Sequence, residues 1–123
     1  MIYTSYFAVA NKLPRHIERI SIELVTPDWY TGLTYKELAP SYDLLKLAKS
    51  GLYDEYIKRY KAMLDKLDGD EVVENIELLV GSDNICLLCY ERSKKFCHRH
   101  LVSEWLRSYG YESEEYKFLG DSI

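Results

Sequence analysis

Proline and glycine are scarce in this chain, three and six among 123 residues. That excludes a collagen-like fibre and a Pro/Gly-rich low-complexity protein. Cysteine is also too sparse for a disulfide-stapled mini-domain: there are three, all between positions 86 and 97. No apolar stretch approaches the roughly 20 residues of a membrane-spanning helix. Nor is there an excess of positive charge, since Lys and Arg number 16 against 20 Asp and Glu, a formal net charge of −4. A protein that coats nucleic acid without specificity must neutralise phosphates and is normally basic, so this balance disfavours that role.

What is present is an ordinary globular mixture, 47% apolar and 29% charged, which excludes a disordered tail protein. The length predicts one domain over 1–123. A chain of this size buries roughly two-thirds of its unfolded surface and needs no staples. The start, Met1-Ile2-Tyr3-Thr4-Ser5-Tyr6, lacks a basic segment followed by a long apolar run. Together with an odd number of clustered cysteines, this predicts reduced thiols in a cytoplasmic protein with no membrane association.

Tyr, Thr and Phe over Ile2–Ala8 predict a first strand, followed by a connection at Asn11–Pro14. Arg19–Thr26 predicts a second, with Ile20, Ile22 and Leu24 alternating with polar residues until Pro27 ends it. From Pro27 to Pro40 the chain is punctuated by Trp29, Tyr30, Gly32 and Tyr35, the pattern of a long structured loop. Helices follow at Ser41–Lys49, with Ser41 or Asp43 as cap, and at Tyr53–Leu67, where apolar residues recur every three or four positions. Gly69 is read as a stop, and Asp70 as the cap of a helix over Glu71–Leu79. Asn84–Glu91 is nearly all apolar, as a central strand requires. A loop over Arg92–Phe96, a helix over His98–Tyr109 ended by Gly110, and a last strand at Tyr116–Leu119 complete the order. The fold class predicted is α/β: a small single-domain sandwich with a central, partly parallel sheet flanked by helices.

Side-chain alternation puts Ile85, Leu87, Cys89 and Glu91 on one face of the central strand, and Cys86, Leu88 and Tyr90 on the other. Cys89 and Glu91 thus meet at its carboxyl end, where ligands bind in open α/β sheets. A helix then begins at Cys97-His98-Arg99. Its free N–H groups and dipole favour anions and stabilise a thiolate at Cys97. His98 suits a general acid or base, Arg99 a two-point contact to phosphate or carboxylate, and Glu91 an orienting or proton-accepting role. Local charge agrees: Arg92, Lys94, Lys95 and Arg99 stand against a single acid between Glu91 and His100. Each residue also has a plainer reading. Cys86 and Cys89 serve as small core hydrophobes, His98 as a core-edge histidine, and Arg99 with Glu91 as a structural ion pair. Cys86-x-x-Cys89 with Cys97 and His98 or His100 offers a zinc donor set. However, a strand directs the sulfurs of Cys86 and Cys89 to opposite faces, so no metal site is predicted there.

Leu88-Cys89-Tyr90-Glu91 followed by Cys97-His98-Arg99 resembles the family called domain of unknown function 488, marked by an apolar strand ending in Cys-x-Glu and a helix opening with Cys-His-Arg. Ile2–Phe7, Ile20-Ser21-Ile22 and Pro27-x-Trp29-x-x-Gly32 are similar to short bacterial and phage members, so the resemblance spans most of the chain. It implies the α/β fold and a site of Cys89, Glu91, Cys97, His98 and Arg99, with Ser5, Tyr6 and Trp29 added on the ligand side. The chain departs from longer members where they carry Gly-His-Ser and Asp-x-Arg, having Thr4-Ser5-Tyr6 and Ile22-Glu23-Leu24.

Three functions follow. The first is binding of, and action on, a small anionic, phosphate- or nucleotide-like ligand at the Cys-x-Glu and Cys-His-Arg residues. The second is a non-catalytic interaction or inhibitor protein of phage type, which an exposed patch of Trp29, Tyr30 and Tyr35 would mark. The third is a structural zinc protein. The pattern names no cofactor.

Overall fold

Strand β4 (Ile85–Cys89) is buried at all five positions, as a strand covered on both faces must be. In the computed structural model, which describes residues 1–90 and 97–118, it is the middle strand of a five-stranded sheet. With β1 (Ile2–Tyr6), β2 (Glu18–Ser21), β3 (Leu33–Thr34) and β5 (Ser113–Glu115), the spatial order is β3-β2-β4-β1-β5. The fold is α/β, and every pairing is parallel, beyond the partly parallel sheet the sequence predicts. The carboxyl ends of β1, β2 and β4 therefore lie along one rim.

Alternation along β4 divides the core in two. Ile85 and Leu87 face the helices with Ile2 and Ile20, in a cluster that takes in Leu44, Tyr56, Tyr60, Leu64, Val72, Val73, Ile76, Val102, Trp105 and Leu106. These residues come from α1 (Tyr42–Lys49), α2 (Tyr53–Asp65), α3 (Gly69–Val80) and α4 (His98–Ser108). Cys86 and Leu88 face the other way, against Phe7, Ala10, Leu13 and Ile17. Among the described residues that face has no α-helix; a 3-10 turn (Phe7–Lys12) covers it. Arg19 secures the cover by donating from Nε, Nη1 and Nη2 to the carbonyls of Ala10, Ile17 and Leu13 at 2.8, 3.0 and 2.7 Å. One guanidinium thus bonds three carbonyls of the covering turn and its connection.

Several boundaries differ from expectation for local reasons. The first strand ends at Tyr6, because Phe7 turns into the 3-10 segment. β2 ends at Ser21, although Ile22 N still donates to Leu88 O at 3.0 Å. The cap of α3 is Asp68, not Asp70: its side chain accepts from the backbone N–H of Asp70 and Glu71. Gly69 is the first residue of that helix and not a stop. A Cβ there would lie 2.6 Å from Cδ1 of Tyr109, so the glycine permits the close approach of the α4 end. The last strand is the polar Ser113–Glu115, not Tyr116–Leu119; of the latter, Leu119 lies outside the described residues. No helix among the described residues is long and apolar enough to cross a membrane.

Asp68→Ala removes the acceptor for two N–H groups of the first turn of α3 and should lower unfolding stability by about 1 kcal/mol. Urea denaturation monitored by circular dichroism measures it.

Candidate active site

The rim formed by the carboxyl ends of β2 and β4 and the start of α4 gathers four titratable side chains. One ligand atom from each of Glu23, Cys89, Cys97 and His98 lies within 4.8 Å of all the others, and all four residues are buried. Cys89 is the last residue of β4 and projects to the helix-side face, in register with Tyr6. Cys97 is the N-cap of α4, in extended conformation, and His98 and Arg99 open the helix. Cys89 and Cys97 are joined as a disulfide pair; reduction yields two adjacent thiols. Cys86 is the free cysteine.

The histidine's proton is positioned by a backbone carbonyl. His98 Nε2 lies 2.6 Å from the carbonyl oxygen of Ile22, which only accepts, so Nε2 carries the hydrogen. In the neutral ring the lone pair is then on Nδ1, which lies 3.7 Å from Cys97 Sγ and 3.8 Å from Glu23 Oε1. Burial disfavours the imidazolium and lowers the pKa of His98 from 6.5 to about 4, with the Ile22 carbonyl opposing and Arg99 assisting. The ring makes a T-shaped contact with Tyr60, with centroids 5.5 Å apart. Tyr60 is itself fully buried, and its hydroxyl donates to Leu38 O.

Arg99 has no solvent exposure. Its Nε and Nη2 donate to the two carboxylate oxygens of Glu115 at 2.9 and 3.0 Å, and Nη1 donates to Cys89 Sγ at 2.9 Å. The two-point carboxylate contact expected of this residue is thus made with the chain's own β5. Thr4 of β1 also donates to Glu115 Oε1, at 2.6 Å. The Tyr6 ring lies beneath the guanidinium, 5.6 Å from its Cζ.

Above the cluster opens a cavity of about 560 Å³. Cys97, His98 and Glu23 lie at its base. Tyr53, Tyr56 and Tyr90 form walls, and Lys49 is an exposed cation at its edge. Desolvation raises the pKa values of Tyr56 and Tyr90, so both phenols are neutral hydrogen-bonding groups at neutral pH.

Cys89, Cys97, His98 and Arg99 are therefore brought together as the sequence predicts, with Tyr6 beside them. Glu91 lies outside the described residues, as do Arg92, Lys94 and Lys95. Ser5 is on the opposite face, in register with Leu88; it is buried, and its Oγ has no hydrogen-bond partner among the described residues. Trp29 is 62% exposed, lies perpendicular to the ring of Phe7 and is not among the residues that line the cavity. The patch of Trp29, Tyr30 and Tyr35 does not form, because Tyr35 is buried in the helix-side core while Tyr30 packs on Phe7. Cys86 is separated from the other cysteines by the sheet, and burial pushes its thiol up to about 12. The zinc set that needed Cys86 is thus not assembled. Glu23, Lys49, Tyr53 and Tyr56 were missed by the sequence reading. Only Glu23 left a local sign there, an acid in the midst of an otherwise apolar Ile22-Glu23-Leu24-Val25.

A family model, DUF488-N3a, described as the active DUF488-N3 subclade, matches residues 5–110. That range takes in Glu23, Lys49, Cys89, Cys97, His98 and Arg99 and ends before Glu115. No curated protein and no solved structure matches the chain.

Two outcomes test this arrangement. Glu115→Gln strips the buried guanidinium of its carboxylate charge and should cost about 3 kcal/mol in chemical denaturation. His98 binds its proton more weakly in the folded protein, with a pKa of about 4 against an ordinary 6.5. Its contribution to stability is therefore complete above pH 6.5 and is lost as pH falls through about 4. Denaturation midpoints measured down this range should decline more steeply in the parent than in His98→Gln.

Proposed function

Since the chain belongs to the DUF488 family, we propose that it is a thiol-dependent enzyme that binds a small anionic, nucleotide-like ligand over Cys97 and acts on it. The observation that carries this reading is the convergence of Cys97, Cys89, His98 and Glu23 within 4.8 Å beneath an open cavity. The description of the matching family model as an active subclade supports a working site.

Cys97 is the nucleophile, because it lines the cavity whereas Cys89 is fully buried beneath it. As the N-cap of the 11-residue α4, it stands at the positive end of the helix dipole, which favours a thiolate. His98 is neutral at rest, with the Nδ1 lone pair toward this sulfur. In the reaction the Cys97 proton passes to Nδ1 and the sulfur bonds to the ligand's electrophilic centre. The bond from that centre to the displaced group breaks and the group leaves with that proton; water, giving its proton to Nδ1, then displaces the sulfur, which regains the proton as the free thiol. Arg99 does not grip the ligand; it holds the neighbouring Cys89 sulfur. The anionic end of the ligand pairs with Lys49, and Glu23 at the base keeps it there by repulsion. Tyr53, Tyr56 and Tyr90 offer faces and hydroxyls to a ring. The working thiols are reduced, which fits a cytoplasmic setting.

In reduced protein, iodoacetamide should modify Cys97 near neutral pH far faster than Cys86, as read by peptide mass spectrometry. Nucleoside monophosphates at millimolar concentration should slow that modification more than inorganic phosphate or a nucleoside alone. Lys49→Ala should weaken the protection roughly tenfold. Labelling of Cys97 as slow as that of Cys86, or equal protection by all three compounds, overturns the reading.

A further inference from the structure

We infer that Glu23, Cys89, Cys97 and His98, once the thiols are reduced, form a binding site for a thiophilic divalent cation of the Zn²⁺ type, and that the ion silences the thiol while it is bound. The binding half stands on geometry alone; the silencing half rests on the function proposed above.

The donor set is the first argument. Two thiolates, an imidazole and a carboxylate make a four-coordinate set that suits zinc and is too soft for magnesium or calcium. It differs from the Cys86-containing set by replacing a cysteine on the far face with Glu23. The ligand atoms lie within 4.8 Å of one another without any group having to cross the sheet.

Spacing is the second. Zinc bonds of about 2.3 Å to sulfur and about 2.0 Å to nitrogen or oxygen, opened to a tetrahedral angle, separate sulfur from nitrogen by about 3.5 Å and nitrogen from oxygen by about 3.3 Å. His98 Nδ1 lies 3.7 Å from Cys97 Sγ and 3.8 Å from Glu23 Oε1.

The groups around the donors also fit a metal site. A metal-binding histidine normally donates its other ring N–H to a carbonyl or carboxylate, which fixes the tautomer and aims the lone pair. His98 does this through Nε2 to the Ile22 carbonyl at 2.6 Å. Cys89 Sγ accepts from Arg99 Nη1 at 2.9 Å, and Glu23 Oε1 accepts from the Tyr90 backbone N–H at 3.3 Å. Both contacts hold a donor atom of the site in place. Entry is provided by the cavity, which Glu23, Cys97 and His98 line.

Binding is balanced as Zn²⁺ plus two thiols, one imidazole and one carboxylate giving the four-coordinate complex and two released protons. No electron is transferred. Both sulfurs then hold their lone pairs in metal bonds, so neither attacks a ligand in the cavity.

Cobalt(II) is the probe, titrated into the full chain after phosphine reduction and removal of metal by a chelator. One equivalent should produce the near-ultraviolet sulfur-to-cobalt charge-transfer band and the intense visible bands of a tetrahedral centre, and one equivalent of Zn²⁺ should abolish both. Cys97→Ser should roughly halve the charge-transfer intensity per bound cobalt. Wild-type protein alkylated at Cys97 gives the same comparison without relying on a variant's folding. No charge-transfer band at equimolar cobalt, or a band unchanged by loss of Cys97, overturns the site. Iodoacetamide labelling then separates the two readings. Fast labelling of metal-free protein that falls at least tenfold with one equivalent of Zn²⁺ supports both halves. Undiminished labelling of the zinc-loaded protein overturns silencing. Tight zinc binding with slow labelling of the metal-free protein supports the metal site, refutes silencing and sinks the proposed function; fast labelling with no metal binding does the reverse for the site and the function.

Discussion

A guanidinium withdrawn entirely from water must be given partners, and the way Arg99 finds them holds this end of the molecule together. Two of its nitrogens meet both oxygens of Glu115, and the third meets the sulfur of Cys89. Thr4 adds a hydrogen bond to the same carboxylate. One charge thereby ties the first turn of α4 to β4 and β5 directly, and to β1 through Glu115. Cys97 and His98 immediately precede Arg99, so the contacts that hold the arginine also set where the thiol and the imidazole stand. Buried ion pairs add little net stability over well-packed apolar groups. Here the pair supplies a fixed position for the start of a helix.

A second constraint acts from the opposite side of the cluster. Ile22 continues the β2 ladder by one hydrogen bond to Leu88 and then offers its carbonyl to His98. That contact decides which ring nitrogen is bare. The chain turns from there, and the next residue, Glu23, enters the same space as the sulfurs. Thiol chemistry and metal binding draw on one property of this arrangement: sulfur and nitrogen lone pairs aimed at a common point, shielded from bulk water but open to a cavity.

The α/β class, the four helices of the described residues and the central strand are legible in local pattern. Leucines and tyrosines at three- and four-residue spacing mark α2, and five apolar positions in a row mark β4. The misreadings share a cause. Asp68 and Asp70 are equivalent by composition, and only the structure shows that Asp68 caps α3 while Gly69, packed against Tyr109, opens it. Ser113–Glu115 carries no apolar signal, because Glu115 points inward to a charge and not to a hydrophobic core. The membership of the site divided in the same way. Cys89, Cys97, His98 and Arg99 belong to one short motif and were found; Glu23 and Lys49, which precede it by dozens of residues, were not.

Periodicity and a motif of a dozen residues were enough to assign the fold class, to set the sulfurs of Cys86 and Cys89 on opposite faces, and to bring the helix start against the strand end, since all three follow from backbone geometry over short separations. The carboxylate that joins the thiols, the acid that neutralises Arg99, and Tyr53, Tyr56 and Lys49 around the cavity arrive from other segments of the chain. Their placement required the parallel order of the strands and the packing of α1 and α2, because which remote side chains meet is a property of the closed structure and has no counterpart in local spacing.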